Sequence, residues 1–245
     1  MPANFNHPPI TVITTWPAPN FVDPEDRTWL APFAVVWLVI STILTFGRFY
    51  LRARKQAGTF GFDDSLIFVA WLFALGLTII ACIGSANGLG RHTWDVEYQN
   101  FPMLVHLGYF AQVFFLISMC TTKLSVLLFY RRMVKNVYSR KWLYVLWAAI
   151  TCNVSAGVAT FIVYMVICRP LRAYWLAYQY LPVPYTEEYT CIPDGESLTL
   201  SSGVISVITD IYAVAIPYLM LRQYQLDVPV RQKIALNVIF ALGWL

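Results

Sequence analysis

The sequence predicts an all-α fold, a polytopic transmembrane helix bundle with five full spans and a partial sixth. Three observations carry this reading. Five long apolar stretches run through the chain, and clusters of Arg and Lys stand at every second exit from them. Of the 245 residues, 58% are hydrophobic and only 12% are charged, about half the charge of an ordinary soluble domain.

A hydrocarbon core of ~30 Å takes roughly 20 apolar residues as helix. Lipid offers no partner to backbone N–H and C=O groups, so each crossing has to satisfy its own. The spans lie near Trp29–Tyr50, Ser65–Gly84, Met103–Tyr130, Trp142–Ile167 and Leu198–Leu221. A sixth starts near Lys233 and runs to Leu245. Its length is roughly 20 Å of helix, short of a crossing, so the chain is expected to be a C-terminally incomplete piece. Residues 1–28 read as a disordered tail on the outer side, with Pro2, Pro8, Pro9, Pro17, Pro19 and Pro24 and the acids Asp23, Glu25 and Asp26. It lacks the basic start and small-residue cleavage site of a removable signal peptide. The connections are short, so residues 29–245 form one helical domain.

The net charge of +4 is not a nucleic-acid footprint, because its distribution is topological. Arg48, Arg52, Arg54 and Lys55 follow the first span; Arg131, Arg132, Lys135, Arg140 and Lys141 follow the third; Arg222, Arg231 and Lys233 follow the fifth. The opposite side holds only Arg27, Arg91, Arg169 and Arg172. The positive-inside rule then places the N-terminus outside and the basic ends in the cytosol of a multi-pass protein, with the plasma membrane as the expected location. Phe49-Tyr50, Phe129-Tyr130 and Tyr224 beside the basic exits read as an interfacial belt with snorkelling Arg side chains.

Gly58 and Gly61 allow a sharp return between the first two spans, and Asp63 or Asp64 is placed to cap the next helix. Two adjacent side chains at a helix start are not expected to converge, so a divalent-metal site is not read there. Gly88-Leu89-Gly90-Arg91-His92 reads as a C-terminal turn ending the second span; with no preceding strand it is not a dinucleotide motif. Cys82, Cys120 and Cys152 fall in or at the ends of spans and read as packing residues. Cys168 and Cys191 flank the long outer loop and are the disulfide candidate. Two free thiols, or Cys82 as a competing partner, are the alternatives. Asn153-Val154-Ser155 matches a glycosylation sequon inside a span, where it should stay unmodified.

Two ionisable residues sit where lipid makes them expensive, Lys123 in the third span and Asp210 in the fifth. At 1.5 Å per residue, Lys123 lies about 12 Å above Arg131 and Asp210 about 18 Å above Arg222. A lysine side chain bridges that difference, so the two are a candidate intramembrane pair. Ser202, Ser206, Asp210, Ala213 and Pro217 share one face of the fifth helix; Gln112, Leu116, Met119 and Lys123 share one face of the third. The polar stripe of Ser202, Ser206 and Gln112 is expected to face the bundle interior, and Pro217 to kink its helix. His92 and His106 lack the neighbours of a metal site. No nucleophile elbow or HExxH helix appears, so no enzyme chemistry is expected and no cofactor is called for.

The order of these features resembles the fungal rhodopsin-domain family of integral membrane proteins, which includes candidate G-protein-coupled receptors linked to pathogenicity. The matching segments are Gly47-Arg48-Phe49-Tyr50, Gly61-Phe62-Asp63-Asp64, Gly88-Leu89-Gly90-Arg91-His92 and Lys123 through Arg132. Cys168-Arg169-Pro170 with Trp175, Cys191, and Asp210-Ile211 followed by Pro217 complete the pattern. The resemblance implies a seven-helix protein when complete, with an outside N-terminus and a receptor-like role. It does not imply retinal, whose Schiff base needs a lysine in the last helix.

Three functions follow as expectations. A receptor-like sensor would bind a small extracellular ligand in the bundle and present Arg131, Arg132 and Arg222 to a cytosolic signalling protein. A secondary transporter would use Lys123 and Asp210 as a proton or substrate site, and should show inverted repeats with broken helices, which the sequence lacks. A non-signalling scaffold would use the pair only to orient helices. The bilayer is the partner common to all three, and nucleic acid is a partner of none.

Overall fold

A computed structural model describes residues 14–21, 23–25, 27–55, 60–97, 99–134, 140–178, 185–191 and 195–223. Long helices dominate: α1 (Leu30–Ala53), α2 (Phe62–Ala86), α3 (Phe101–Val134) and α4 (Arg140–Met165). After α4 comes a two-stranded hairpin, β1 (Cys168–Arg169) and β2 (Thr190–Cys191), with the short helix α5 (Ala173–Leu176) between its strands. The last helix is α6 (Gly195–Gln223). Four helices among the described residues are long and apolar enough to cross a membrane: α1, α2, the Phe101–Arg132 part of α3, and α4. The expected fifth span falls on α6, whose described apolar part is the shorter stretch Leu200–Ala213. The expected partial sixth, from Lys233 on, lies outside the described residues. The architecture is therefore all-helical and membrane-type, with four candidate spans.

These helices are apolar round most of their circumference, unlike the one-sided stripe of a soluble bundle. Ile43, Leu200, Ile208 and Ile211 are all exposed. On a water-facing surface so much apolar area would be an aggregation patch; in hydrocarbon it is the expected exterior.

α3 is the central pillar, with α2 on one flank and α4 on the other. Towards the basic helix ends, Leu127, Tyr130, Leu146, Ala149, Ile150 and Ile216 form a core shared by α3, α4 and α6. Towards the other end, Tyr109, Val113, Tyr164, Ile167 and Cys168 form a second. Polar ties reinforce the packing. Trp71 Nε1 donates to Thr42 Oγ1 at 2.9 Å, Ser118 Oγ to the Ala70 carbonyl at 3.0 Å, and Asn153 Nδ2 to the Cys120 carbonyl at 3.1 Å. In hydrocarbon, bonds of this kind contribute about 0.6 kcal/mol each.

The turn at Gly88 closes α2 as a glycine-terminated C-cap. The Leu89 N–H donates to the Gly84 carbonyl at 2.8 Å and the Gly88 N–H to the Ser85 carbonyl at 3.4 Å, with Gly88 at φ +100°. That pair of bonds satisfies carbonyls the helix end leaves orphaned. An alanine there would enter a left-handed region that disfavours a Cβ. Gly88→Ala is expected to lose about 1–2 kcal/mol, read as a lower unfolding midpoint of the purified protein. An unchanged midpoint would contradict the turn geometry.

Candidate functional site

The candidate site is built where α3 meets α6. Lys123 is buried, and its ammonium lies 2.7 Å from Asp210 Oδ1. It also donates to Thr209 Oγ1 at 2.8 Å, to Ser206 Oγ at 3.3 Å and to the Ser206 carbonyl at 3.4 Å. An ammonium has three protons, so these acceptors from one face of α6 saturate it. Ser206 Oγ in turn lies 3.5 Å from Asp210 Oδ2 and from Met119 Sδ. The Lys123 side chain is 8% exposed and that of Asp210 36% exposed. The carboxylate is thus the open member of the pair: its outer edge is accessible, whereas the ammonium is enclosed.

The structure brings together Lys123, Asp210 and Ser206 among the residues singled out from the sequence. Ser202 sits one turn further along α6 and pairs with the Tyr164 side chain of α4. Gln112 does not join the cluster. It is exposed, eleven residues along α3 from Lys123, or about 16 Å at the helical rise. Thr209 was not singled out, although it bonds Lys123 closely. Counting in fours from Ser202 skipped it, whereas the i+3 neighbour of Ser206 shares that face equally. α6 continues past Pro217 to Gln223.

At the end of the bundle away from the basic clusters, Cys168 and Cys191 form a disulfide that pins β1 to β2 in register. The loop it closes is tied again by Arg172, whose guanidinium binds the Glu187 carboxylate, and by the Tyr185 hydroxyl, which donates to Glu187 at 3.0 Å. These two donors, Tyr185 first, hold the Glu187 carboxyl below its ordinary range. The hairpin rests on an aromatic floor: His106 stacks on Trp175 at 4.3 Å, and Tyr109 Oη donates to the Tyr164 carbonyl at 3.2 Å. Cys191→Ser is expected to lose about 3 kcal/mol by loop entropy. The check is a melting curve with and without reductant, in which reduced wild type should match the variant.

The described part of the N-terminal tail meets the loop that follows α2. The Asn20 N–H donates to the buried Asp95 carboxylate at 2.9 Å, and His92 Nε2 lies 3.3 Å from Glu25. Residues 1–13 lie outside the described residues.

A second charged centre joins the opposite ends of α1, α2 and α3. Asp63 Oδ2 accepts from Arg48 Nη2 at 2.6 Å and from Arg52 Nη2 at 2.7 Å. Asp64 Oδ1 accepts from Nε of both arginines at 3.0 Å. Two neighbouring carboxylates, expected to diverge, are thus drawn onto the same two guanidiniums. Asp64 Oδ2 also accepts the Gly61 N–H at 2.9 Å and so starts α2, while Ser125 Oγ on α3 donates to the Asp63 carbonyl at 2.6 Å. Phe129 lies beneath both guanidiniums, at 5.3 and 5.8 Å. Arg132 approaches Asp63 at 3.8 Å. Arg131 instead lies over the Trp147 ring on α4, at 4.6 Å. The side chain of Arg222 lies outside the described residues. The signal for this centre was present in the chain: two Arg one helical turn apart at the end of one helix, and two Asp at the start of the next.

Among known proteins, the model of the fungal rhodopsin domain matches residues 47–245. No curated protein and no solved structure matches the chain.

Proposed function

The chain belongs to the fungal rhodopsin-domain family, and from that premise we propose that it is a sensor rather than an enzyme, passing the binding of a small ligand across the membrane as a movement of α6. In this reading the N-terminus and the disulfide hairpin face outward at the plasma membrane. Arg131, Arg132 and Arg222 then face the cytosol and meet a signalling protein there. The observation that carries the reading is the Lys123–Asp210 pair. Arg48, Arg52, Asp63 and Asp64 bind α1 to α2, and Ser125 on α3 donates to the Asp63 carbonyl, whereas the described part of α6 packs more sparsely on α3 and α4. Its described polar ties include the Lys123 cluster, the Ser202–Tyr164 pair and a hydrogen bond from Tyr212 Oη to the Ala149 carbonyl at 3.4 Å. A ligand that meets the open edge of Asp210 in one arrangement and not in the other shifts the balance by that difference in affinity.

The test is a distance distribution between spin labels at Tyr144 on α4 and Leu219 on α6, both exposed, in a Cys152→Ala background. Asp210→Asn keeps the shape and removes the charge, and is expected to redistribute that distance. Identical distributions for the wild-type pair and the Asn variant would overturn α6 movement as the transmitted signal.

A further inference from the structure

We propose that the seam between α3 and α4 is a binding site for an anionic phospholipid, its headgroup held by Arg131 with Arg140 and Lys141 and one acyl chain lying in the apolar groove above them. Two independent observations place the parts. The first is charge. No Asp or Glu occurs anywhere between Glu97 and Glu187, so neither α3 nor α4 carries an acid to neutralise these bases. The nearby Asp63 and Asp64 are buried and engaged with Arg48 and Arg52. Arg131 Cζ lies over the Trp147 ring at 4.6 Å, joining α3 to α4, while Arg140 and Lys141 are exposed at the start of α4. A guanidinium over an aromatic face still has N–H donors to offer a phosphate.

The second observation is the groove itself, about 210 Å³ in volume and almost wholly apolar. Ile117, Cys120 and Leu124 line it from α3, and Val154, Gly157 and Val158 from α4. Gly157 lets α3 and α4 close together at its floor: a Cβ there would stand 2.8 Å from Cys120 Sγ. The groove and the basic mouth lie on one stripe, since Arg131 follows Leu124 by seven residues and Trp147 precedes Val154 by seven. Leu124 is therefore about 10 Å above Arg131. Half the hydrocarbon core is about 15 Å, so a chain attached to a headgroup at Arg131 reaches the groove. A soluble anion would use the mouth alone; the apolar seam leading away from it fits a lipid.

The test uses the full chain in a neutral detergent, titrated with fluorescent phosphatidylserine or with phosphatidylcholine. Each basic residue near an anionic surface contributes about a 5-fold change in binding. Phosphatidylserine is therefore expected to bind at least about 5-fold more tightly than phosphatidylcholine. Arg131→Gln should remove most of that preference, and Arg131→Lys should retain it. Val158→Trp, which fills the groove from an exposed position, should weaken both lipids. Arg54→Gln is the control, because Arg54 also lies over an aromatic ring, Tyr50 at 5.3 Å, but on α1 away from the seam. Equal binding of the two lipids, a preference that survives Arg131→Gln, or an equal loss in Arg54→Gln would each overturn the site. An unaltered affinity in Val158→Trp would overturn the placement of the chain.

Discussion

Asp210→Leu is expected to destabilise the detergent-solubilised protein by about 2–3 kcal/mol, more than Lys123→Met does. The asymmetry follows from burial. Removing the carboxylate leaves an enclosed ammonium with only neutral acceptors, Thr209 and Ser206. Breaking a buried pair from one side costs about 3–5 kcal/mol, and the loss falls towards the low end because Thr209 and Ser206 still accept from the ammonium. Removing Lys123 leaves the less enclosed member, with Ser206 Oγ still 3.5 Å away, so a smaller loss is expected. The double variant Lys123→Met with Asp210→Leu should recover most of the loss, since two apolar residues of similar size often replace a buried pair without penalty. Thermal unfolding followed by tryptophan fluorescence measures all three. Additive losses in the double variant would mean that the two residues do not interact. A double variant that regains stability and keeps the cellular role would favour the scaffold reading over the sensor.

Asp63→Ala should be the more damaging substitution, by about 3–5 kcal/mol or by failure to accumulate folded protein. Asp63 is met by Arg48, Arg52 and, at longer range, Arg132, and its loss takes one of two described carboxylates from the Arg52 guanidinium, which is 3% exposed. The same substitution also releases the carboxylate constraint that holds α1 against α2 at the base of the bundle. Arg132→Ala touches the same carboxylate from an exposed position and should cost about 0.5 kcal/mol or less. Folded yield and unfolding midpoint should separate the two clearly. Comparable effects would show that burial does not govern the centre.

How much of this was legible can be seen residue by residue. Lys123 and Asp210 stood out because a charge in an apolar run is conspicuous, and helical rise alone puts them at compatible depths. Cys168 and Cys191 stood out by elimination and by position, although the alternatives stayed open until the hairpin paired them. Gly88 announced its turn through the residue type that a positive φ requires. Arg48 and Arg52 were read only as markers of topology, because a basic residue at a span's end serves that purpose wherever it points. Their convergence on Asp63 and Asp64 depends on how α1 and α2 cross, which no periodicity records. Gln112 shares a face with Lys123 on an ideal helix, yet it is exposed and stands eleven residues from the cluster.

The amino-acid sequence by itself determined that the chain is helical, where its apolar spans and their basic ends fall, and which residues are too polar for their surroundings. These are properties of single elements in a fixed solvent: hydrocarbon demands internally bonded helices, and composition reveals which residues break its rules. Tertiary structure decided the pairings. It set which arginines neutralise which aspartates, which hydroxyls complete the shell of Lys123, and where a glycine lets two helices close together. Those outcomes rest on helix crossings and side-chain distances of a few ångströms, and such distances exist only once the helices have packed.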